Sequence, residues 1–154
     1  MMKWFYGNEA VEDISYFPEG TYGFVYLIKH KPTGKSYIGK KVLYYNRNKK
    51  LGKKELAILK EERKGKPGRL PTKKLVTTES NWKEYWGSNK ALMELSKKEP
   101  HENFFRFILH ICPSKKMLTY YETKELFDHD VLLKDNYFND NILSKFYSKD
   151  FETN

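Results

Sequence analysis

One cysteine stands in the 154-residue sequence, Cys112. A lone thiol excludes an intramolecular disulfide and a cysteine-based zinc site. It reads as a buried strand residue, in a reduced, intracellular, cytoplasmic protein. No apolar run approaches the ~20 residues that span a bilayer. The start, Met1-Met2-Lys3-Trp4-Phe5-Tyr6, lacks the apolar stretch of a secretory signal. No membrane association is therefore expected. No G-x-x-x-x-G-K-[ST] loop occurs, so no nucleotide cofactor is expected. The four histidines, His30, His101, His110 and His129, show no ligand spacing, which argues against a histidine-held metal. There is no internal repeat and no low-complexity tract. Acids are the scarcer charge, 20 against 29 Lys and Arg, for a net +9 and a pI near 9.4. That surplus points to a polyanionic partner, nucleic acid first.

Aromatics are plentiful, with ten Phe, twelve Tyr and three Trp. A disordered basic tail would lack them, so a packed core is expected. The length allows one domain with an appendage. Charge is uneven along it. Residues 40–74 hold fourteen Lys or Arg and three acids, a net of +11, which leaves −2 for the rest.

Residues 1–20 read as an N-terminal extension laid against a domain at 21–146, with a tail at 147–154. Residues 22–29 (YGFVYLIK) are nearly all apolar, β-branched or aromatic and predict a central strand. Lys31-Pro32-Thr33-Gly34-Lys35 predicts a turn and residues 36–39 the returning strand. A basic insert follows at 48–78, helical from Lys53 to Arg63 and looped over 64–78, where prolines and glycines cluster. Trp82, Tyr85 and Trp86 share one face of a short helix at 80–86, more a core face than a base-stacking one. Ser88 caps a helix at 89–98. Residues 104–112 (FFRFILHIC) form a later strand, and a helix runs over 119–130. The order predicts an α+β fold, a small central antiparallel sheet of about three strands flanked by helices.

Tyr26 and Tyr37 lie eleven residues apart on the two arms of the hairpin, so their phenols can share a sheet face. Arg47 follows Gly39 by eight residues. At these positions the sequence resembles the GIY-YIG nuclease superfamily, and the resemblance covers about residues 22–142. The second motif is intact as Tyr37-Ile38-Gly39. The first appears as Phe24-Val25-Tyr26, with its glycine one place early at Gly23 and Phe24 in the usual slot. Arg47 matches the family's arginine on the helix after the second motif, Glu122 its metal-binding glutamate, and Asn139 the asparagine near the domain's end. Gly87-Ser88 and Glu102-Asn103-Phe104 fit the intervening pattern. The likeness is to small stand-alone bacteriophage endonucleases related to homing-endonuclease catalytic domains, which implies a host-cell cytoplasm if the chain is viral.

The resemblance implies a hydrolase that cuts double-stranded DNA with Mg²⁺ (or Mn²⁺). It makes Glu122 the metal ligand, Tyr26 the general base, Tyr37 its partner and Arg47 the phosphate clamp. Phosphodiester hydrolysis needs those types: a base for water and positive charge on the phosphorane-like transition state. A free tyrosine has a pKa near ~10, so Tyr26 needs nearby cations. Lys40 and Lys41 flank the second motif and could supply them, which makes Lys41 a further catalytic candidate. DNA contacts are expected from Lys40, Lys49, Lys50, Lys53, Lys54, Arg69, Lys73, Lys74 and Ser88.

Glu122 has a rival reading, since Thr119-Tyr120-Tyr121-Glu122 is a T-x-x-E capping box. Leu118 and Leu126 lie at i−4 and i+4, however, which puts the carboxylate on the apolar side. Glu125 is expected to face water. Only about a dozen residues follow the last motif, so a separate recognition domain is not expected. The alternative function is a catalytically inactive DNA- or RNA-binding module of the same fold.

Overall fold

The computed structural model describes residues 2–152. Residue 1 of the expected extension and residues 153–154 of the expected tail lie outside the described residues. The strands are β1 Trp4–Tyr6, β2 Glu9–Val11, β3 Gly23–His30, β4 Lys35–Val42, β5 Tyr44–Lys50, β6 Lys73–Glu79, β7 Phe104–Cys112, β8 Asn141–Ile142 and β9 Phe146–Tyr147. The helices are α1 Lys53–Glu62, α2 Lys90–Lys98 and α3 Lys115–Asp128. The chain divides into two units, one made of residues 1–43 with 81–154 and one of residues 44–80. Among the described residues no helix is long and apolar enough to cross a membrane.

The first unit carries a five-stranded sheet in the order β2-β1-β7-β3-β4. The class is α+β, but five strands replace the expected three. The two additional strands come from the segment read as an extension. They are three residues each, too short to show a period. Trp4 pairs with Val11, and both are buried. The sheet is also mixed, because β1 runs parallel to β7 while the other neighbours are antiparallel.

Strand alternation splits the core. Phe24, Tyr26 and Ile28 of β3 join Trp4, Phe17, Trp82 and Phe104 on one side. Val25 joins Ile38, Leu118 and Leu126 on the other, under α3. Phe24 has no solvent exposure and packs against Trp4 at 5.1 Å and Phe17 at 5.8 Å between ring centroids. The displaced glycine has its own task at Gly23. A Cβ there would sit 2.4 Å from the Lys41 carbonyl oxygen and 2.9 Å from a Leu118 methyl. The β3–β7 register shifts between Val25 and Tyr26, at the motif itself.

Several local expectations are corrected. α3 begins at Lys115, four residues early, because Ser114 caps it by accepting from the Met117 amide at 3.2 Å. Glu122 is then mid-helix, and the capping-box reading fails. α2 is capped by Asn89, whose side chain accepts from the Leu92 amide, and not by Ser88. The short helix at 80–86 is a single 3₁₀ turn over Trp82–Glu84. In the second unit β5 and β6 pair antiparallel along their whole length, from Tyr44 opposite Glu79 to Lys50 opposite Lys73. The segment expected to be a loop therefore ends in a strand. Its Leu75-Val76-Thr77-Thr78 run is β-favouring, and the prolines and glycines just before it hid that.

Arg106 ties the first unit together. It sits on β7, is buried, and lies between the rings of Trp4 and Trp86, 4.6 Å from each centroid. Its guanidinium donates to the carbonyls of Lys83 and Tyr85 at 3.0 Å each, and to that of Met2. Burial draws its pKa down to about 10, so it stays charged at neutral pH. One cation thus fastens the N-terminal strand and the 82–86 turn to the sheet. Arg106→Met fills much of the volume but orphans three carbonyls, each worth ~1–3 kcal/mol when buried. We expect a loss of about 3 kcal/mol in urea unfolding, with little rescue by Arg106→Lys, which lacks the planar fork. A loss under ~0.5 kcal/mol would reject this role.

Candidate active site

Tyr26 lies opposite Gly39 in the β3–β4 hairpin, and Tyr37 precedes Gly39 by two, on the same face. The two rings come to 6.2 Å between centroids. Gly39 makes this possible. A Cβ on it would lie 2.4 Å from the Tyr26 hydroxyl and 3.0 Å from Tyr37 Cε1. Gly87, at φ +88°, closes the other side, with its Cβ position 3.4 Å from the same hydroxyl. Tyr85 stands edge-on to Tyr26, 5.9 Å between ring centroids. Tyr37 is partly open, and its hydroxyl bonds Ser88 Oγ at 2.8 Å. Ser88 is therefore a partner of the second motif tyrosine.

Burial, more than anything else, pushes the Tyr26 phenol well above the ordinary tyrosine value, and Tyr85, Tyr37 and Glu122 push it further. The expectation that Lys40 and Lys41 would bring it down is not met in this structure. Lys41 Nζ lies over the Tyr85 ring, 4.2 Å from its centroid. Lys40 points to the other face, where its ammonium donates to Thr119 Oγ1 at 3.1 Å. Tyr37 is also raised, chiefly by burial, while its bond to Ser88 pulls the other way.

Glu122 comes from α3, on the opposite side of β4. Because β4 is the edge of the sheet, groups from both faces can meet around it. They meet in a cavity of about 190 Å³ lined by Tyr37, Ser88, Glu122, Asn139 and Asp140 among others. Burial raises the Glu122 carboxyl above its usual range, and the Lys40 charge partly offsets this. Asn139 receives the Ile38 amide on Oδ1 at 3.0 Å and donates Nδ2 to the Ile38 carbonyl at 2.8 Å. Its side chain thus gives the Ile38 backbone the donor and acceptor that a neighbouring strand would supply.

The remaining candidates lie in the second unit. Arg47 is on strand β5, where a helix was expected, and is exposed. Lys49, Lys50, Lys53, Lys54, Arg69, Lys73 and Lys74 are likewise exposed residues of that unit. Glu125 does not face water as expected. It accepts from His110 Nε2 at 2.7 Å and lies 3.2 Å from His129 Nδ1.

A search of family models matches residues 4–142 to one described as "Putative endonuclease segE, GIY-YIG domain". The chain belongs to the GIY-YIG family. No curated protein and no solved structure matches it. The match begins at Trp4 and so takes in β1 and β2.

Two cavity or phenol neighbours had no sequence signal. Asp140 follows Asn139 in a stretch that reads as a turn, and Tyr85 reads as a core aromatic. Only the closure of residues 137–142 along β4, through the Ser36–Tyr137 bridge, brings Asp140 to Tyr37.

A carboxyl raised by burial costs stability whenever it is ionised. Above its folded-state pKa, Glu122 is charged in both states and the cost is present; below pH ~4.5 it is protonated in both and the cost is gone. Glu122→Gln should therefore raise the urea midpoint of the metal-free domain at pH 7. The gain should fade as pH drops through the acidic range. An unchanged or lower midpoint at pH 7 would contradict the burial of this charge.

Proposed function

We propose that this GIY-YIG domain is a divalent-metal-dependent endonuclease that hydrolyses phosphodiester bonds of double-stranded DNA. The carrying observation is the convergence of Glu122, Tyr37 and Ser88 on one cavity at the edge of β4, next to the enclosed phenol of Tyr26. A hard cation takes oxygen ligands, and this cavity offers two carboxylates and two hydroxyls in a polar lining. The residues thus fit Mg²⁺ or Mn²⁺, with Glu122 as the protein ligand. When bound, such an ion neutralises charge on the phosphate and lowers the pKa of neighbouring acids.

The chain's own residues supply the rest. Gly39 and Gly87 confine the Tyr26 hydroxyl, and Tyr85 packs edge-on against its ring. Tyr26 is the proposed base, Tyr37 its hydrogen-bonding partner held by Ser88, and Arg47 the phosphate clamp. A phenol this strongly protonated accepts a proton only after added positive charge lowers its pKa, so activity should rise with pH through neutrality. Lys40, near Glu122, is the proposed contact to a phosphate oxygen. The high pKa of Tyr26 is also the observation that favours the second reading, a binding module without chemistry.

Supercoiled plasmid separates the two. The protein should nick or linearise it with Mg²⁺ and not with EDTA. Glu122→Gln should lose at least ~100-fold, about 2.7 kcal/mol of transition-state stabilisation. Tyr26→Phe should lose ~10²–10⁴-fold if the phenol transfers a proton. DNA binding without cleavage across several substrates and both metals would establish the binding module.

A further inference from the structure

The second unit is hard to explain as packing. Every residue of β5 is exposed, and on β6 only Val76 is even half-buried. A two-stranded ribbon of this kind is marginally stable by itself in water. Yet residues 44–80 carry twelve Lys or Arg and four acids, a net of +8, which leaves +1 for the rest of the chain.

The register assigns its two faces, since directly opposed residues of antiparallel strands point the same way. One face holds the pairs Tyr45–Thr78, Arg47–Val76 and Lys49–Lys74. It is the face that meets α1, through the 2.6 Å bond from Lys74 to Glu55, and it contains half-buried Val76. The other face holds Asn46–Thr77, Asn48–Leu75 and Lys50–Lys73, with Tyr44–Glu79 at its far end. Leu75 is 66% exposed there. Thr77 donates to Asn46 Oδ1 at 2.7 Å, which holds that amide in one orientation. Two amides, a hydroxyl and an apolar side chain are unlike a generic solvated basic surface. They are the groups that pair with base edges.

We propose that this ribbon enters the major groove of double-stranded DNA, with Asn46, Asn48, Leu75 and Thr77 against the base edges and Lys50 and Lys73 on phosphates. This deepens the reading of the domain as a DNA endonuclease, and rests on it for the choice of nucleic acid. The dimensions agree. Seven residues at ~3.3 Å span roughly 23 Å, and two strands ~5 Å apart fit a major groove about 12 Å wide but not a minor groove of about 6 Å. Asn pairs with adenine N6 and N7, and apolar groups contact the thymine methyl, so A·T pairs should be favoured within the site.

The test uses Glu122→Gln protein, which binds without cutting, and DNA altered in one groove at a time. Replacing adenine by 7-deazaadenine, which lacks the N7 acceptor, should weaken binding about tenfold or more. Netropsin, which fills the minor groove, should compete little. Asn46→Ala with Asn48→Ala and Thr77→Ala should flatten the preference among DNA sequences and keep the slope of binding against salt. Lys50→Ala with Lys73→Ala should lower that slope by ~1.8 and keep the preference. Indifference to 7-deazaadenine, strong competition by netropsin, or tighter binding to duplex RNA would each overturn the proposal. If wild type cuts plasmid but 7-deaza substitution has no effect, the groove assignment fails alone. If nothing is cut yet binding tracks the 7-deaza substitution, the endonuclease reading fails alone.

Discussion

The placement of one phenol governs the site. The Tyr26 hydroxyl occupies the space in which any side chain at position 39 would have its Cβ, only 2.4 Å away. The two motif residues are therefore one steric unit: the tyrosine demands the glycine across the hairpin, and the register supplies it. Gly87 and Tyr85 close the remaining sides, and both come from the stretch that Arg106 fastens by its carbonyls. The buried arginine thus acts on the site at one remove, by holding the wall against which Tyr26 leans.

The edge position of β4 is the second determinant. A central strand would separate Tyr37 from Glu122, because they approach from opposite faces. At an edge, both reach the same cavity, but the backbone there lacks a neighbour. Asn139 answers that lack by giving Ile38 both a donor and an acceptor. It keeps the edge straight without covering it, which a full strand would do. The cost of the arrangement falls on Glu122, whose buried charge is offset only in part by Lys40. A cation of the kind proposed for this site would relieve that cost.

The legibility of these features follows their physical range. β3 and β7 were readable because long runs of β-branched and aromatic residues carry a buried-strand signal, and β4 because the Lys31–Lys35 turn returns the chain beside β3. The meeting of Tyr26 and Tyr37 was readable because a hairpin is local, and the inward position of Glu122 because Leu118 and Leu126 flank it on one helix. β1 and β2 were not, since three-residue strands leave no pattern and are fixed by Trp4 bonding the Trp82 carbonyl 78 residues away. The β5–β6 ribbon was hidden by its polar composition, which resembles a loop when each strand is read alone. Asp140, Tyr85 and the Glu125 partners depend on long-range closure. Ser88 was assigned a cap because serine favours that position, yet Asn89 took it and left Ser88 for Tyr37.

Charge and chemistry are divided between the two units by physics as well as by sequence. The +8 of residues 44–80 lies on exposed side chains, where salt screens it within ~8–10 Å. Glu122 and the two motif phenols are buried or half-buried in a unit that is nearly neutral, where screening is weak and burial sets their protonation. On the proposed function, ionic strength should therefore act on DNA binding, and pH on Glu122 and the two phenols, with little crossing between them. This separation also explains why an overall charge count is a poor guide to this protein. The cations of residues 44–80 dominate the count, while the groups proposed to do chemistry are one carboxylate and two phenols that contribute almost nothing to it.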